Sequence, residues 1–310
     1  MRMITIPQTD MSVFPLCLGG NVFGWTIDEQ QSHAVLNAYF EQGGNFVDTA
    51  DVYSAWREGN IGGESETIIG NWMRSQQNRD QMIVATKVAK LSTRPGLSAR
   101  NIVEACDDSL RRLNTDYIDL YYAHEDDLAI PMVETLTAFT TLIEQGKVRH
   151  IASSNFTPER MREALEVSRA NGLATYIGVQ NQYNLLDRSP YEDGMSEVVE
   201  QNQLSCLPYL GIARGFLTGK YRLGVTVDSV RASGAVVYQN DRGWNTLRVV
   251  EKIATSRGVP MAAVALAWLR AQSTVSVPIS AARTVEQLQE IIQIVELSGD
   301  ELAELTAVTG

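Results

Sequence analysis

The sequence predicts an α/β fold, specifically a (β/α)8 barrel, or TIM barrel, with an N-terminal β-hairpin and an extra C-terminal helix. Short apolar segments typical of strands alternate with segments of helical periodicity, and eight barrel strands can be counted. Three successive strands also end on ionisable side chains, Asp48, Lys87 and His124. In a parallel barrel such strand ends share one rim, where barrel enzymes place their chemistry. A doubly wound open sheet remains the structural alternative.

The predicted strands are short and bounded by turn residues. Two N-terminal segments, 3–6 and 13–19, form the expected hairpin, and the end of the second, 16–19, counts as the first barrel strand. The other barrel strands are predicted at residues 45–48, 82–87, 118–123, 148–153, 177–180, 204–209 and 274–278.

Helices are predicted between these strands, and several have recognisable ends. Ser98 is a candidate N-cap for a helix that runs to Leu113, and Thr157 with the following proline opens another. Gly146 ends the helix before the fifth strand, and Gly299 begins a last short helix. Residues 211–244 are predicted to be one long irregular connection after the seventh strand, and a loop of this length usually has a function.

Length and composition place the chain among ordinary globular proteins. Its 310 residues, 44% apolar and 20% charged, can bury a large core, and we expect one domain over residues 1–310. The formal net charge of −11 argues against nucleic acid or an anionic membrane surface as the main partner. A local basic pocket for a phosphate group stays compatible with this charge.

Cysteine usage and the N-terminus suggest a cytoplasmic location. Cys17, Cys106 and Cys206 lie far apart in apolar contexts, without the spacing of a metal site or a disulfide framework, so buried reduced thiols are expected. The N-terminus lacks the pattern of a secretory signal, and no apolar run approaches the length of a membrane span.

The side chains at the predicted rim suit proton transfer to a carbonyl oxygen. Tyr53 follows the strand that ends on Asp48, and a lysine close to its hydroxyl would stabilise the phenolate and lower the tyrosine pKa. Asp48 would keep Lys87 charged and in place, while His124 would orient a substrate oxygen or share in moving a proton. Taken singly, these residues also have purely structural interpretations. Asp48 would cap a turn, Tyr53 would be an aromatic side chain at the rim, and His124 would be a hydrogen-bonded histidine at a strand end.

Motifs along the whole chain resemble those of the aldo-keto reductase family. Residues 45–55, followed by Gly62-Gly-Glu-Ser-Glu-Thr-Ile-Ile-Gly70, are similar to its first signature, and Lys87 closes a similar Ala-Thr-Lys strand. Further similar segments occur in chain order at residues 116–124, 148–156, 179–184 and 214–221. The resemblance implies a (β/α)8 barrel, a nicotinamide cofactor bound without a Rossmann domain, and carbonyl reduction.

The resemblance also implies residue roles. Tyr53 would be the general acid/base, Lys87 and Asp48 the pair that tunes it, and His124 the residue that orients substrate. Polar residues after strands five and six would hold the carboxamide of the cofactor, and an aromatic residue of strand seven would stack on the nicotinamide ring. The loop after strand seven would wrap the pyrophosphate, and the segment after strand eight would bind the adenosine phosphate. The implied contacts are Gly20, Asn21, Ser154, Asn155, Gln180, Tyr209, Gly215, Leu217, Thr218, Lys220, Ser280, Arg283, Gln287 and Glu290.

Arg283 bears on the choice of cofactor. It lies just before a predicted helix, where backbone N–H groups favour an anion, and it would grip a 2′-phosphate, which favours NADP(H) over NAD(H). Two positions depart from the family pattern. Ile291 replaces an asparagine that contacts adenine, and Tyr209-Leu-Gly-Ile-Ala replaces the usual Tyr-Ser-Pro-Leu-Ala.

The predicted function is NADPH-dependent reduction of an aldehyde or ketone, or the reverse alcohol oxidation. Phe23, Trp25 and Trp56 are expected to border the substrate, which would be a small carbonyl compound or alcohol. One alternative is a nicotinamide-binding regulatory subunit, as in the potassium-channel β subunits of the family. A Schiff-base aldolase using Lys87 is another. No metal site is expected, because the three histidines (His33, His124 and His150) form no clustered ligand set.

Overall fold

The computed structural model describes residues 3–225, 227 and 232–309. Its strands are β1 (Ile4–Thr5), β2 (Ser12–Val13), β3 (Cys17–Gly19), β4 (Phe46–Asp48), β5 (Ile83–Val88), β6 (Ile118–Ala123), β7 (Val148–Ser154), β8 (Tyr176–Gln180), β9 (Ser205–Cys206) and β10 (Ile279–Ser280). Strands β3 to β10 form one parallel sheet in the spatial order β10-β3-β4-β5-β6-β7-β8-β9.

Backbone hydrogen bonds join the two edge strands of this sheet and close it into a barrel. The N–H of Ser276 donates to the carbonyl of Cys206 at 2.9 Å, and the N–H of Ile279 donates to the carbonyl of Pro208 at 2.9 Å. Closure leaves the barrel without a free sheet edge. The (β/α)8 barrel predicted from the sequence is confirmed.

The β-hairpin before the barrel is also confirmed, and it covers one end of the barrel interior. β1 and β2 pair antiparallel, with Ile4 opposite Val13. Ile6, Met11 and Val13 are buried in the same apolar cluster as the inward-facing side chains of the barrel strands, such as Phe46. The hairpin therefore removes apolar surface from water at the end of the barrel where the first strand enters.

Helices surround the barrel. They are α1 (Glu29–Glu41), α2 (Glu64–Gln76), α3 (Ala99–Leu113), α4 (Met132–Glu144), α5 (Pro158–Asn171), α6 (Ser189–Glu192), α7 (Met195–Gln201), α8 (Ala232–Ala235), α9 (Asp241–Arg257), α10 (Met261–Arg270), α11 (Val285–Ile291) and α12 (Gly299–Thr309). Short 3-10 helices lie at Arg79–Gln81, Ala213–Thr218 and Val236–Tyr238. The helix faces that pack on the barrel share one large core with the outer side chains of the strands.

The helix ends follow the sequence signals. The Ser98 side chain accepts a hydrogen bond from the N–H of Asn101, and that of Thr157 accepts one from the N–H of Arg160. Gly146 has a φ of +72° just after the end of α4, a conformation that costs glycine little. The predicted caps and the predicted glycine stop are confirmed, as is the last helix from Gly299.

Three predicted segments differ from the structure. The seventh and eighth barrel strands are shorter than the predicted 204–209 and 274–278, and the latter moves to Ile279–Ser280. Pro208 and Pro278 explain this, because proline has no N–H to donate to a ladder. The stretch 211–244 is not one irregular connection, since its described part holds the 3-10 helix Ala213–Thr218, α8 and the start of α9. Thr226 and residues 228–231 of that stretch lie outside the described residues.

All three cysteines are buried in regular elements, Cys17 in β3, Cys106 in α3 and Cys206 in β9, as predicted. Within the part of the chain that the structure describes, no helix is long and apolar enough to cross a membrane.

Helix α2 packs closely on the end of α3, and Gly70 makes this approach possible. A Cβ added at Gly70 would lie 2.3 Å from the carbonyl oxygen of Arg112 and 2.6 Å from the carbonyl carbon of Leu113. We expect Gly70→Ala to lower the free energy of unfolding by about 1–3 kcal/mol, because the clash exceeds the gain in helix propensity. Urea denaturation measures this. Gly299→Ala, where a Cβ would have no neighbour within 4 Å, is the matched control, and an equal loss in both variants would contradict the packing argument.

Candidate active site

The ammonium group of Lys87 lies at the centre of the candidate site. Its Nζ donates to Oδ2 of Asp48 at 2.6 Å, to the backbone carbonyl of Thr49 at 2.7 Å and to the hydroxyl of Tyr53 at 2.9 Å. The Tyr53 hydroxyl in turn donates to Oδ2 of Asp48 at 3.3 Å. Asp48 and Lys87 are both buried. The structure thus brings together three of the four residues predicted for the rim in one hydrogen-bonded group.

The local backbone explains this convergence. β4 ends on Asp48, and β5, its parallel neighbour, presents Lys87 at the same end of the barrel. Tyr53 lies in the loop after β4, in a turn where its N–H donates to the carbonyl of Ala50 at 3.1 Å. Because the amide of Thr49 pairs with the carbonyl of Ala85 at 2.8 Å, the start of this loop is held against β5.

Burial dominates the ionisation of these groups. It raises the pKa of Tyr53 well above its ordinary value, and the nearby Asp48 carboxylate adds to the rise. The sequence predicted that Lys87 would lower the pKa of Tyr53, but burial outweighs that effect. Tyr53 therefore keeps its proton at neutral pH. Burial also lowers the pKa of Lys87, while Asp48 acts in the opposite direction. Oxygen acceptors for all three ammonium protons keep the charged form of the lysine tolerable in this place.

His124 faces the same group of residues from the end of β6. Its ring centroid lies 5.9 Å from that of Tyr53, with the rings at 72°. Burial, followed by the positive charges of Lys87 and Lys90, lowers the pKa of His124 well below its ordinary value. The imidazole is therefore neutral at physiological pH and can act as a polar contact without adding charge.

One pocket of about 710 Å³ runs along the carboxyl-terminal rim of the barrel, and Asp48, Tyr53 and His124 line it. Most of the side chains predicted to bind a cofactor line the same pocket. They are Asn21, Ser154, Asn155, Gln180, Tyr209, Gly215, Thr218, Lys220, Ser280, Arg283, Gln287 and Glu290. Gly20 and Leu217 do not line it. Gly20 packs beneath Asp48, where its N–H donates to the Asp48 carbonyl at 2.7 Å, and Leu217 is buried in the core.

A chain of polar side chains connects the ends of β4, β6, β7 and β8 along the pocket wall. Gln180 donates its amide N–H to Oδ1 of Asp48 at 2.9 Å, and its backbone carbonyl accepts from Ser154 at 2.8 Å. Asn155 donates to the carbonyl of His124 at 2.9 Å and accepts from the hydroxyl of Tyr209 at 2.8 Å. The four catalytic candidates and the predicted amide-binding residues therefore belong to one continuous hydrogen-bonded surface.

The structure separates the three aromatic residues predicted to border the substrate, and for Trp25 and Trp56 that role stays a prediction. Phe23 is fully buried in the core, so the placement of its ring at the pocket mouth is corrected. Trp25 and Trp56 contact each other edge to face, with centroids 5.5 Å apart, and Trp56 lies 6.0 Å from the Tyr53 ring. Neither tryptophan lines the pocket itself, although Trp56 is close to its Tyr53 wall.

Several pocket residues were not predicted from the sequence. Arg214 begins the segment 214–221 but is not among the implied cofactor contacts, and Lys90 has no sequence signal because it follows a strand end within a loop. Ile291, noted as a departure from the family pattern, also lines the pocket. Its apolar side chain replaces an amide on this part of the wall.

A buried carboxyl group lies just outside the site. Asp51 follows β4, is 2% exposed, and its Oδ1 has no hydrogen-bond partner among the described residues. Burial raises its pKa to about 8, Glu66 adds to the rise and Arg112 opposes it. Glu66 is already engaged, since it accepts from Arg112 at 2.6 Å and from Thr86 at 2.5 Å. Asp51 is therefore a mostly protonated acid at neutral pH.

This raised pKa predicts a pH dependence of stability. The folded state binds the Asp51 proton more tightly than the unfolded state, so the contribution is complete below a pH of about 4 and is lost as the pH rises through about 8. Asp51→Asn removes this titration. Between pH 5 and pH 9 the wild type loses this contribution and the variant does not. We therefore expect the difference in free energy of unfolding, variant minus wild type, to increase by at least about 1 kcal/mol over that range. Urea denaturation over that pH range measures it, with Asp116→Asn, at an exposed carboxylate just before β6, as control. Parallel curves for all three proteins would contradict the assignment.

A protein-family model and several known proteins match this chain over most of its length. The model of the Aldo/keto reductase family matches residues 15–309. Protein tas of Escherichia coli (strain K12) is 32% identical over 99% of this chain and 97% of that protein. L-glyceraldehyde 3-phosphate reductase of the same organism is 30% identical over 91% of this chain and 85% of that protein. Norsolorinic acid reductase B of Aspergillus parasiticus is 29% identical over 94% of this chain and 79% of that protein. The chain therefore belongs to the aldo/keto reductase family and is an NAD(P)H-dependent oxidoreductase.

Proposed function

We propose that this protein reduces an aldehyde or ketone to an alcohol with NADPH, and that Tyr53 protonates the carbonyl oxygen. The observation that carries the proposal is the hydrogen bond of 2.9 Å from Lys87 to the Tyr53 hydroxyl, at the wall of a pocket large enough for a substrate and a cofactor. Two relatives are named as reductases, one of L-glyceraldehyde 3-phosphate and one of norsolorinic acid. Their names support reduction as the direction.

The ionisation of the site suits proton donation. Reduction of a carbonyl develops an alkoxide that needs a proton, and Tyr53 with its raised pKa still holds one at neutral pH. After transfer, the phenolate would lie next to the Lys87 ammonium, which stabilises it. Asp48 keeps that ammonium in place, and the neutral His124, whose ring packs edge to face against that of Tyr53, can orient the substrate oxygen. A bound nicotinamide cofactor supplies the hydride.

The residues on the rest of the pocket wall fit such a cofactor. The hydroxyl oxygen of Ser280 is buried and has no hydrogen-bond partner among the described residues, so it can serve a ligand. Gly215 has a φ of +86°, and a Cβ there would lie 3.2 Å from Nζ of Lys220. Lys220 and Arg283 supply positive charge for phosphate groups. Ser154, Asn155 and Gln180 present the amide and hydroxyl groups that would meet a carboxamide, and Tyr209 offers a ring for stacking.

Arg283 is the residue that would favour the 2′-phosphate of NADPH. Its guanidinium forms no ion pair with a carboxylate within the described part of the chain, although Glu290 also lines the pocket. Its backbone N–H donates to Oε1 of Gln287 at 3.0 Å, which fixes the backbone from which the side chain extends. A charge without a fixed protein partner is available to an anionic ligand.

The role of Tyr53 can be tested by removing its hydroxyl group. We expect Tyr53→Phe to lower kcat for a reactive aromatic aldehyde by about 10²- to 10⁴-fold, because the proton donor is lost. NADPH binding, measured by fluorescence titration, should be retained. Tyr117→Phe is the matched control, since Tyr117 lies before β6 at the opposite end of the barrel, beneath the guanidinium of Arg79.

A Tyr53→Phe variant with wild-type kcat would show that another group donates the proton. If the wild-type protein binds NADPH but turns over no member of a broad aldehyde panel, the regulatory-subunit function is favoured instead.

The choice of cofactor can be tested at Arg283. We expect Arg283→Ala to raise the Kd for NADPH by about tenfold or more and to leave the Kd for NADH nearly unchanged, because one charge-assisted phosphate contact is lost. Fluorescence titration with both cofactors measures this, and Arg100→Ala, at an exposed arginine of α3, is the control. Equal wild-type affinity for the two cofactors would contradict the preference for the phosphorylated one.

A further inference from the structure

Lys90 lies on the wall of the pocket at the end where Tyr53 and His124 meet it. It follows the last residue of β5 by two positions, and that residue, Val88, pairs with Ala123 next to His124. The N–H of His124 donates to the carbonyl of Val88 at 2.9 Å, which holds the two strand ends together. Lys90 lines the same pocket as the two catalytic candidates, and one third of its side chain is exposed.

The backbone just before Lys90 is in an unfavourable conformation. Ala89 has a φ of +115°, although it is not glycine and its side chain is buried. Such a conformation is costly for a residue with a Cβ, and it persists only where the surroundings fix it. Here the carbonyl of Ala89 accepts a hydrogen bond from the N–H of Gly96 at 2.9 Å, across the loop that follows β5. Lys90 follows this strained residue directly and lines the pocket.

The positive charge of Lys90 is weakly compensated by the protein. Its ion-pair partner among the described residues is Glu125, whose carboxylate is 3.5 Å from Nζ and about half exposed. A partly exposed pair at this distance contributes little to stability, so another anion can replace Glu125 at low cost. His124 adds no charge here, because burial and the neighbouring lysines keep it neutral.

Barrel topology separates Lys90 from the other cations of the pocket. Arg214 and Lys220 follow β9, and Arg283 follows β10. β5 lies three strands from β10 and four from β9 in the closed ring, so Lys90 enters from the opposite side. The cations near β9 and β10 are the ones that the proposed cofactor phosphates would use. Lys90 is left for the part of the pocket that takes the carbonyl compound.

We propose that Lys90 binds an anionic group of the substrate, so that this enzyme prefers aldehydes or ketones that carry a carboxylate or a phosphate. The inference rests on the proposed reductase function. The carbonyl oxygen would lie at Tyr53 and His124, and the anionic group would replace Glu125 as the partner of the Lys90 ammonium. A partly desolvated ammonium favours such a group over a neutral one of the same size.

Matched pairs of substrates test this proposal. The first pair is 4-carboxybenzaldehyde and methyl 4-formylbenzoate, which differ in charge at the same position, and the second is glyceraldehyde 3-phosphate and glyceraldehyde. For each pair, kcat/KM with NADPH is measured for wild type and Lys90→Met, and the acid-to-neutral ratio is compared. We expect Lys90→Met to lower this ratio by about tenfold, and the pair with the larger effect tells carboxylate from phosphate recognition.

Two further variants keep the result unambiguous. Glu125→Gln removes the competing carboxylate while retaining Lys90, so it should raise the same ratio by a few fold. Lys252→Met removes an exposed lysine that pairs with Glu304 on the outer helices, and it should leave the ratio at the wild-type value. Raising the ionic strength should lower the wild-type ratio and have less effect on that of Lys90→Met.

The outcomes separate this inference from the proposed function. If wild type reduces the neutral members of the pairs but the ratios in Lys90→Met and Glu125→Gln equal those of wild type, the anion site at Lys90 is ruled out and the reductase function stands. If wild type reduces neither the charged nor the neutral aldehydes, the reductase function fails and the inference falls with it.

Discussion

The burial of the Lys87 ammonium is the constraint on which the rest of the site depends. A lysine without solvent exposure inside a barrel requires acceptors for its three protons, and the structure supplies Asp48, the carbonyl of Thr49 and the hydroxyl of Tyr53 at 2.6–2.9 Å. These acceptors come from the end of β4 and from the loop that follows it. Satisfying Lys87 therefore fixes the loop that carries Tyr53 against β5, and so places the phenol at the pocket wall.

Burial also determines how charge is distributed along the pocket. It keeps His124 neutral and Tyr53 protonated, so the end of the pocket where these two residues lie has polar groups with little net charge of their own. Cationic side chains lie around this end on two sides, Lys90 beyond β5 and Arg214, Lys220 and Arg283 beyond β9 and β10. A chain with a formal charge of −11 thus presents a pocket with several positive groups. This contrast favours anionic ligands within a molecule whose surface disfavours polyanions.

The sequence predicted the barrel and the convergence at its rim because both follow from chain order. Alternating strand and helix signals and ionisable strand ends are local features, and a parallel barrel brings those ends together by topology alone. What it could not predict depends on side-chain packing and backbone detail. The sequence places Phe23 in a loop, but its side chain is buried in the core. The pKa of Tyr53 is raised because the effect of burial outweighs that of the neighbouring Lys87. Lys90 lines the pocket directly after Ala89, whose positive φ has no sequence signal in a non-glycine residue.

We propose that the Lys87 ammonium makes proton donation by Tyr53 efficient. The most direct test of this proposal is the rate of hydride transfer in a single turnover of Lys87→Met with bound NADPH, followed by stopped-flow absorbance of the cofactor. The account predicts a fall of about 10²-fold or more, with the barrel folded and NADPH still bound, because the phenolate left by transfer loses its stabilising charge. A single-turnover rate within a few fold of wild type would contradict it.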